Sequence, residues 1–174
     1  DNRDIETFNL GTGTPQRPLI RDRLQEYSAF LPDGGSYFFH EHAIGGFPIF
    51  RHDLSGDGAP ELLDVDLGEY PHPMPISVSP DGDQLAVQTD AYGDSDIVLV
   101  SVKEADPEVD VWLATEDNET YPLFSPDGRW IAYRSNRTGQ REVYVRDVSA
   151  TTAAKQVTFD GAGSHRWGPE DPED

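Results

Sequence analysis

The stretch FSPDGRWIAYRSN, residues 124 to 136, joins two short apolar runs through a Pro-Asp-Gly turn. Related stretches occur upstream as VSPDGDQLAVQTD (78–90) and FLPDGGSYFFHEH (30–42). Proline fixes the first turn angle, aspartate can bond its own downstream backbone, and glycine accepts the positive φ that other residues resist. An active site needs a group once, whereas this turn recurs in register. We therefore interpret it as architecture, and its aspartates as turn formers: Asp33, Asp81 and Asp127.

The proline of this turn sets a repeat along the whole chain. It falls at positions 32, 80 and 126 and, in degenerate form, at 169, so the intervals are 48, 46 and 43 residues. This period fits a four-stranded propeller blade. The inner runs are apolar at nearly every position, which is typical of strands covered on both faces. The sequence predicts an all-β chain, a β-propeller of four-stranded antiparallel blades.

Each blade is expected to contain one run before the turn and three after it. The best-formed unit has YPLF (121–124), WIAY (130–133), EVYV (142–145) and KQVT (155–158). Counted from turn to turn, residues 1–32 hold the outer strands of a partial blade and the lead into the next. Three blades follow, over residues 33–78, 79–124 and 125–163. Residues 164–174 hold the first strand of a further blade and an acidic tail.

The chain begins and ends within a unit, and its first residues, DNRDIETFNL, lack an initiator Met and the order of a signal peptide. We therefore interpret it as part of a longer protein. Three arrangements stay open: the terminal pieces complete a fourth blade that lacks its second strand, the ring was larger and has been cut, or two chains complete each other. The last predicts self-association, because an open sheet edge pairs readily.

Composition excludes several classes of function. Acidic residues outnumber basic ones by 33 to 13, a net charge of −20, and such a surface repels nucleic-acid phosphates. The acidic surface has two interpretations: it keeps the protein solvated in a salty environment, or it offers an anionic face to a basic partner or to cations. No apolar run reaches the roughly 18 residues of a membrane span, so no membrane insertion is predicted. The absence of cysteine excludes disulfides and thiolate chemistry.

The stretches SPDGRWIAYRSNRTGQREVYVRDV (125–148) and KQVTFDGAGSHRW (155–167) resemble the WD40-like, PD40 or TolB-type β-propeller repeat. The sequence departs from that pattern at GPED (168–171), at Gln88 and throughout 33–78. Proteins with such repeats include TolB, the extracytoplasmic ends of some bacterial receptor-like kinases, and the propellers of prolyl-oligopeptidase-type peptidases. The resemblance implies a non-enzymatic scaffold for protein or ligand recognition in a larger bacterial protein, periplasmic or otherwise extracytoplasmic, with a protein partner.

Two other functions stay open. The chain could be the gating propeller of a prolyl-oligopeptidase-type peptidase whose catalytic domain is absent, or a calcium-stabilised structural module. Hydrolysis requires a serine on a sharp turn with a base brought to it. Ser164 and His165 are instead neighbours in the predicted strand SHRW (164–167), so they point to opposite faces. No catalytic residue and no organic cofactor is predicted.

The stretch DLSGDGAPELLD, residues 53 to 64, is the candidate metal site. Its oxygen-bearing side chains follow the spacing of an EF-hand-type calcium loop, with Asp64 at the twelfth position. The same residue types are ordinary turn formers, so a plain turn is the alternative. Calcium is the one cofactor considered, and its candidate ligands are Asp53, Ser55, Asp57 and Glu61.

The histidines His40, His42, His52 and His72 all fall in the first unit. The segment HEH presents His40 and His42 on one face of an extended chain. A zinc site would need a third and fourth ligand, which the sequence does not specify. These histidines are therefore interpreted as surface or loop residues.

Overall fold

A computed structural model describes residues 5–15, 24–44, 46–55, 58–68, 70–91, 94–103 and 106–168. These residues form strands, turns and loops and contain no helix; within them no segment meets the length and hydropathy of a membrane-crossing helix. The strands are β1 (Phe8–Asn9), β2 (Thr14–Pro15), β3 (Gln25–Phe30), β4 (Ser36–Glu41), β5 (Ile49–Asp53), β6 (Glu61–Leu62), β7 (Met74–Val78), β8 (Gln84–Ala91), β9 (Asp94–Ser101), β10 (Val109–Leu113), β11 (Glu119–Phe124), β12 (Trp130–Ser135), β13 (Glu142–Asp147) and β14 (Lys155–Gln156).

The strands form three antiparallel sheets of four strands each, in which neighbours in sequence are neighbours in space. The first sheet has the order β3-β4-β5-β6, the second β7-β8-β9-β10 and the third β11-β12-β13-β14, and β1 and β2 make a separate hairpin. The first strands of successive sheets lie side by side, β3 against β7 and β7 against β11. The sheets therefore follow one another as blades of a propeller, and the predicted fold class is confirmed.

Each Pro-Asp-Gly turn joins the first and second strands of one sheet and satisfies its own polar groups. The glycine amides Gly34, Gly82 and Gly128 donate to the carbonyl three residues earlier, each at 2.9 Å. These glycines have φ values of 67°, 79° and 70°, a region that residues with a Cβ rarely enter. In all three sheets the aspartate also accepts a backbone hydrogen bond from the residue two positions later, at 2.8 Å from Gly35 and at 3.0 Å from Asp83 and Arg129. The turn aspartates are therefore structural.

The turn aspartates also predict how stability depends on pH. Hydrogen bonds from the Ser125 hydroxyl and the Arg129 amide lower the pKa of Asp127. A carboxylate with a lowered pKa adds stability above its unfolded pKa of about 4, and this stability is lost as the pH falls through the lower folded pKa. We expect Asp127→Asn to destabilise the protein more at pH 6 than at pH 2.5, measured by urea unfolding.

The matched control is Asp33→Asn in the first sheet, where Leu31 offers no hydroxyl to the carboxylate. We expect a smaller difference between the two pH values for this variant. An Asp127→Asn effect that is equal at pH 6 and pH 2.5 would contradict the prediction.

Two apolar clusters lie between the sheets and form the core. Residues of the first and second sheets make one cluster, which contains Ala29, Phe38, Ile49, Leu85, Val87, Val98 and Val100. Residues of the second and third sheets make the other, which contains Ala86, Ile97, Leu99, Trp112, Phe124, Ile131, Tyr133 and Tyr144. The second sheet thus buries both of its faces, which explains why β8 and β9 are apolar along most of their length.

One polar side chain of each second strand binds the backbone at the start of the next sheet or, for the third sheet, the backbone of the C-terminal segment. His40 Nδ1 lies 2.7 Å from the carbonyl oxygen of Pro73, Gln88 Oε1 accepts from the Tyr121 amide at 3.0 Å, and Arg134 Nη1 donates to Gly163 O at 2.5 Å. The three residues are 48 and 46 positions apart, which is the spacing of the turn prolines. Gln88, where the sequence departs from the TolB-type repeat pattern, therefore has a structural role, because it forms a contact between blades.

The sheets differ from the sequence units in three respects. Each sheet begins one strand before the boundaries at 33, 79 and 125, because the turn lies inside a sheet. The SHRW segment is not a strand, although Trp167 Nε1 donates to Leu123 O at 2.9 Å, so it lies against β11. The fourth strands are shorter than the apolar runs that predict them, since ELLDV (61–65) is a strand only over Glu61–Leu62 and KQVT (155–158) only over Lys155–Gln156. Part of the partial blade expected over residues 1–32, including the run RPLI (17–20), lies outside the described residues.

Candidate functional site

A polar groove lies between the second and third sheets, at the end of the blades opposite the Pro-Asp-Gly turns. Its volume is about 430 Å³, and amide, hydroxyl, carboxylate and guanidinium groups line it together with His72. Both sheets contribute, since the lining includes Asp90, Ser95, Asn118, Thr120, Asn136 and Arg141. Such a surface offers hydrogen-bond donors and acceptors from two blades to one ligand.

Buried carboxylates hold the loops around this groove in place. Glu119, which is fully buried, accepts hydrogen bonds from the Thr115 and Ser135 hydroxyls. Burial raises the pKa of Glu119, and these hydrogen bonds partly oppose the shift. Glu142 accepts from the Gly161 amide at 2.8 Å and from Gln140 Nε2 at 2.7 Å. The loops that border the groove are therefore fixed to the ends of β11 and β13.

A second cluster of polar side chains lies in the first sheet. Glu26 on β3 is directly opposite His40 on β4, and His42 follows two residues later on the same face. One nitrogen or oxygen atom from each of these three side chains lies within 4.8 Å of the others. His42 Nε2 is 3.4 Å from Glu26 Oε2. Among the described residues, these three are the histidine and carboxylate side chains whose ligand atoms lie close enough together to hold one metal ion.

His40 is buried, with an exposed fraction of 3%. The prediction of a surface or loop residue is therefore wrong for His40, because its ring fills the contact between the first and second blades. A carbonyl oxygen only accepts, so the contact with Pro73 requires the proton on Nδ1. Its Nε2 is buried and has no hydrogen-bond partner among the described residues. Burial lowers the pKa of His40, which favours the neutral ring.

The candidate calcium loop has the hydrogen bonds of a turn. Asp53 Oδ1 accepts from the Ser55 amide at 2.7 Å and from the Ser55 hydroxyl at 2.8 Å. These bonds lower the pKa of Asp53. Glu61 is exposed on β6, and Asp57 lies outside the described residues. The calcium site therefore stays a prediction.

His165, from the sequence analysis, and Arg134 both have structural contacts. His165 Nε2 lies 3.2 Å from Ala132 O, so this nitrogen faces the third sheet rather than the hydroxyl of Ser164. The Arg134 guanidinium stacks on Tyr121 at 3.9 Å from the ring centroid. Sequence reasoning did not include Glu26, because it joins the histidines through strand register. Apart from His72, it also did not include the groove residues, because they come from different repeats.

Comparison with known proteins supports the fold. No protein-family model matches the chain. An uncharacterized protein of Agrobacterium fabrum is 23% identical and aligns with 95% of this chain and 68% of its own length. TolB of Acinetobacter baumannii has a TM-score of 0.69 at 19% identity; the match covers 91% of this chain and 38% of TolB.

A prolyl endopeptidase also has a similar region, with a TM-score of 0.54 at 16% identity over 85% of this chain and 21% of that enzyme. The chain therefore spans well under half the length of these solved structures. Identities this low establish architecture and not activity. Sheet topology, repeat spacing and structural likeness agree, and the chain has the fold of a TolB-type β-propeller.

Proposed function

We propose that this propeller segment is a non-enzymatic recognition module whose partner is a segment of another protein. The observation that carries the proposal is the groove between the second and third sheets, where polar groups of two blades surround one volume of about 430 Å³. Binding residues commonly lie on loops that a rigid scaffold holds in place. Here the buried Glu119 and Glu142 fix the adjoining loops.

Charge favours a basic partner. The chain carries a net charge of −20, so a cationic segment would be attracted over a distance of roughly 10 Å at moderate ionic strength. Within the groove, Asp90 would accept hydrogen bonds from a basic side chain, while Arg141 and Asn136 would bind backbone carbonyls or a carboxylate. Association should weaken as salt is added.

The test is affinity capture with the purified chain as bait, followed by quantification of the partner. We expect Asp90→Lys and Arg141→Glu to lower the amount captured at least about tenfold, the effect of losing one charged contact. The matched control is Arg129→Glu, because Arg129 is an exposed arginine at the Pro-Asp-Gly turn, at the other end of the blades. Capture that is insensitive to the groove variants, or equally sensitive to Arg129→Glu, would contradict the proposal.

The gating propeller of a serine peptidase is the alternative, and likeness to a prolyl endopeptidase supports it at the level of fold. The two functions differ in what the parent protein contains, since gating requires a hydrolase domain with a G-x-S-x-G motif. A periplasmic or other extracytoplasmic location belongs to the recognition proposal, because it rests on the resemblance to TolB.

A further inference from the structure

We propose that Glu26, His40 and His42 form a binding site for a zinc-class divalent ion in the first blade. None of these three residues lines the groove between the second and third sheets, so the proposal does not depend on the recognition proposal. Two imidazoles and one carboxylate are a ligand set that Zn²⁺ takes when a fourth position is left for water.

The repeat itself shows that these residues are special to one blade. The cross-strand pair Glu26 and His40 of the first sheet corresponds in register to Met74 and Gln88 in the second and to Thr120 and Arg134 in the third. Architecture therefore requires a polar residue at the position of His40, where each side chain contacts the next blade, but it does not require two histidines and a carboxylate. A group that occurs once in a repeat indicates a local task rather than a scaffold role.

The geometry suits a tetrahedral ion. Ligand atoms about 2.0 to 2.1 Å from Zn²⁺ stand about 3.4 Å apart. The His42 Nε2 to Glu26 Oε2 distance is already 3.4 Å. One ring nitrogen of His40 lies within 4.8 Å of a ligand atom of each of the other two residues, so a side-chain movement of at most about 1.4 Å completes the site. Strand pairing fixes Glu26 opposite His40, which keeps this movement small.

The strongest single observation is the unpaired nitrogen of His40. Its Nδ1 proton is held by the carbonyl oxygen of Pro73 at 2.7 Å, which leaves the lone pair on Nε2. This arrangement is the one found in metal-binding histidines, where the second ring nitrogen donates to a carbonyl or carboxylate. Because Nε2 is buried without a hydrogen-bond partner among the described residues, an ion would satisfy an acceptor that is otherwise costly to bury.

An entry path and an ion preference follow from the same residues. The side chains of His42 and Glu26 are 40% and 23% exposed, so an ion reaches the buried His40 from their side. Imidazole nitrogens favour zinc over calcium and magnesium, which prefer oxygen ligands. The cluster is therefore distinct in chemistry from the loop of Asp53, whose candidate ligands are all oxygen atoms.

The test is calorimetric titration of ZnCl₂ into the tag-free chain after chelator treatment. We expect one equivalent of zinc to bind, and His42→Asn and Glu26→Gln to weaken binding by about 10- to 100-fold or more, since losing a ligand costs at least as much as losing its supporting contact. Cobalt in place of zinc should give the visible absorption of a tetrahedral ion. Both variants change partly exposed side chains, and circular dichroism verifies that they fold.

The matched control is His52→Gln, which removes a histidine of the same sheet outside the cluster. Zinc affinity should be unchanged in this variant. Absence of zinc binding in the unmodified chain would overturn the proposal, as would binding that neither His42→Asn nor Glu26→Gln weakens. Calcium or magnesium binding at the same affinity as zinc would also overturn it, because those ions prefer oxygen ligands and the proposed site has two imidazoles.

Discussion

Replacing Trp112 by alanine should lower the free energy of unfolding by about 3 to 5 kcal/mol, the usual cost of removing a large buried aromatic side chain. Trp112 belongs to β10, the last strand of the second sheet, yet its contacts lie largely in the third sheet. Its indole Nε1 donates to Val148 O at 2.8 Å, and its ring meets Tyr133 edge to face at 5.6 Å. The substitution therefore opens a cavity at the contact between two blades.

Urea unfolding followed by circular dichroism measures this loss. The melting temperature should fall by about 6 to 20 °C, because each kcal/mol of lost stability lowers it by about 2 to 4 °C in a chain of this size. Trp112→Phe is the matched control, because it keeps most of the apolar volume and removes the indole hydrogen bond; we expect a loss of about 1 to 3 kcal/mol. A change below about 1 kcal/mol for Trp112→Ala would mean that this cluster does not hold the blades together.

The repeat could be predicted from the sequence because its signal is local. The Pro-Asp-Gly turn fixes the backbone within four residues, and the φ values of Gly34, Gly82 and Gly128 are those that the turn requires. The strands on either side of each turn are continuous apolar runs, so their positions follow once the turn is placed. The fold class, which rests on these two features, was accessible without any long-range information.

The candidate sites depend on how strands that are distant in sequence pair with one another. No local sequence pattern predicts that register. Glu26 reaches the histidines because a β-bulge follows it, with Tyr27 at a φ of 50° and a register shift between Glu26 and Ser28. A tyrosine at positive φ is unfavourable by local rules, so no sequence pattern predicts the bulge. Tyr121 has the same conformation at the equivalent position of the third sheet, with a φ of 55° and a register shift between Thr120 and Leu123.

The polar groove was missed for a different reason. Asp90 is the next-to-last residue of β8, Asn118 precedes β11 and Arg141 precedes β13, so these residues are separated by connections of various lengths. Each of them alone is an ordinary polar residue. Only the stacking of the second sheet on the third brings them to one surface, and this stacking is a property of the core clusters rather than of the loops.

Phe38→Ala should also cost about 3 to 5 kcal/mol, and its effect should appear in distant parts of the chain. Phe38 is 1% exposed on β4 and packs between the first and second sheets. All three tryptophans, at 112, 130 and 167, lie in the last strand of the second sheet or beyond it. Their fluorescence thus reports the second and third sheets, while the substitution acts on the first.

The second sheet connects these two regions, because Leu85, Val87, Val98 and Val100 face Phe38 while Ala86, Ile97 and Leu99 face the third sheet. If the sheets unfold as one cooperative unit, Phe38→Ala will shift the fluorescence and circular dichroism midpoints together. If each blade contact is independent, as in a linear array, the fluorescence midpoint will stay within error of the parent while the dichroism curve broadens. We expect the shared shift, since alternating residues of the same strands serve both clusters. Phe30→Ala, which removes a phenylalanine of the first sheet that is 46% exposed, should change either midpoint by the equivalent of about 1 kcal/mol or less.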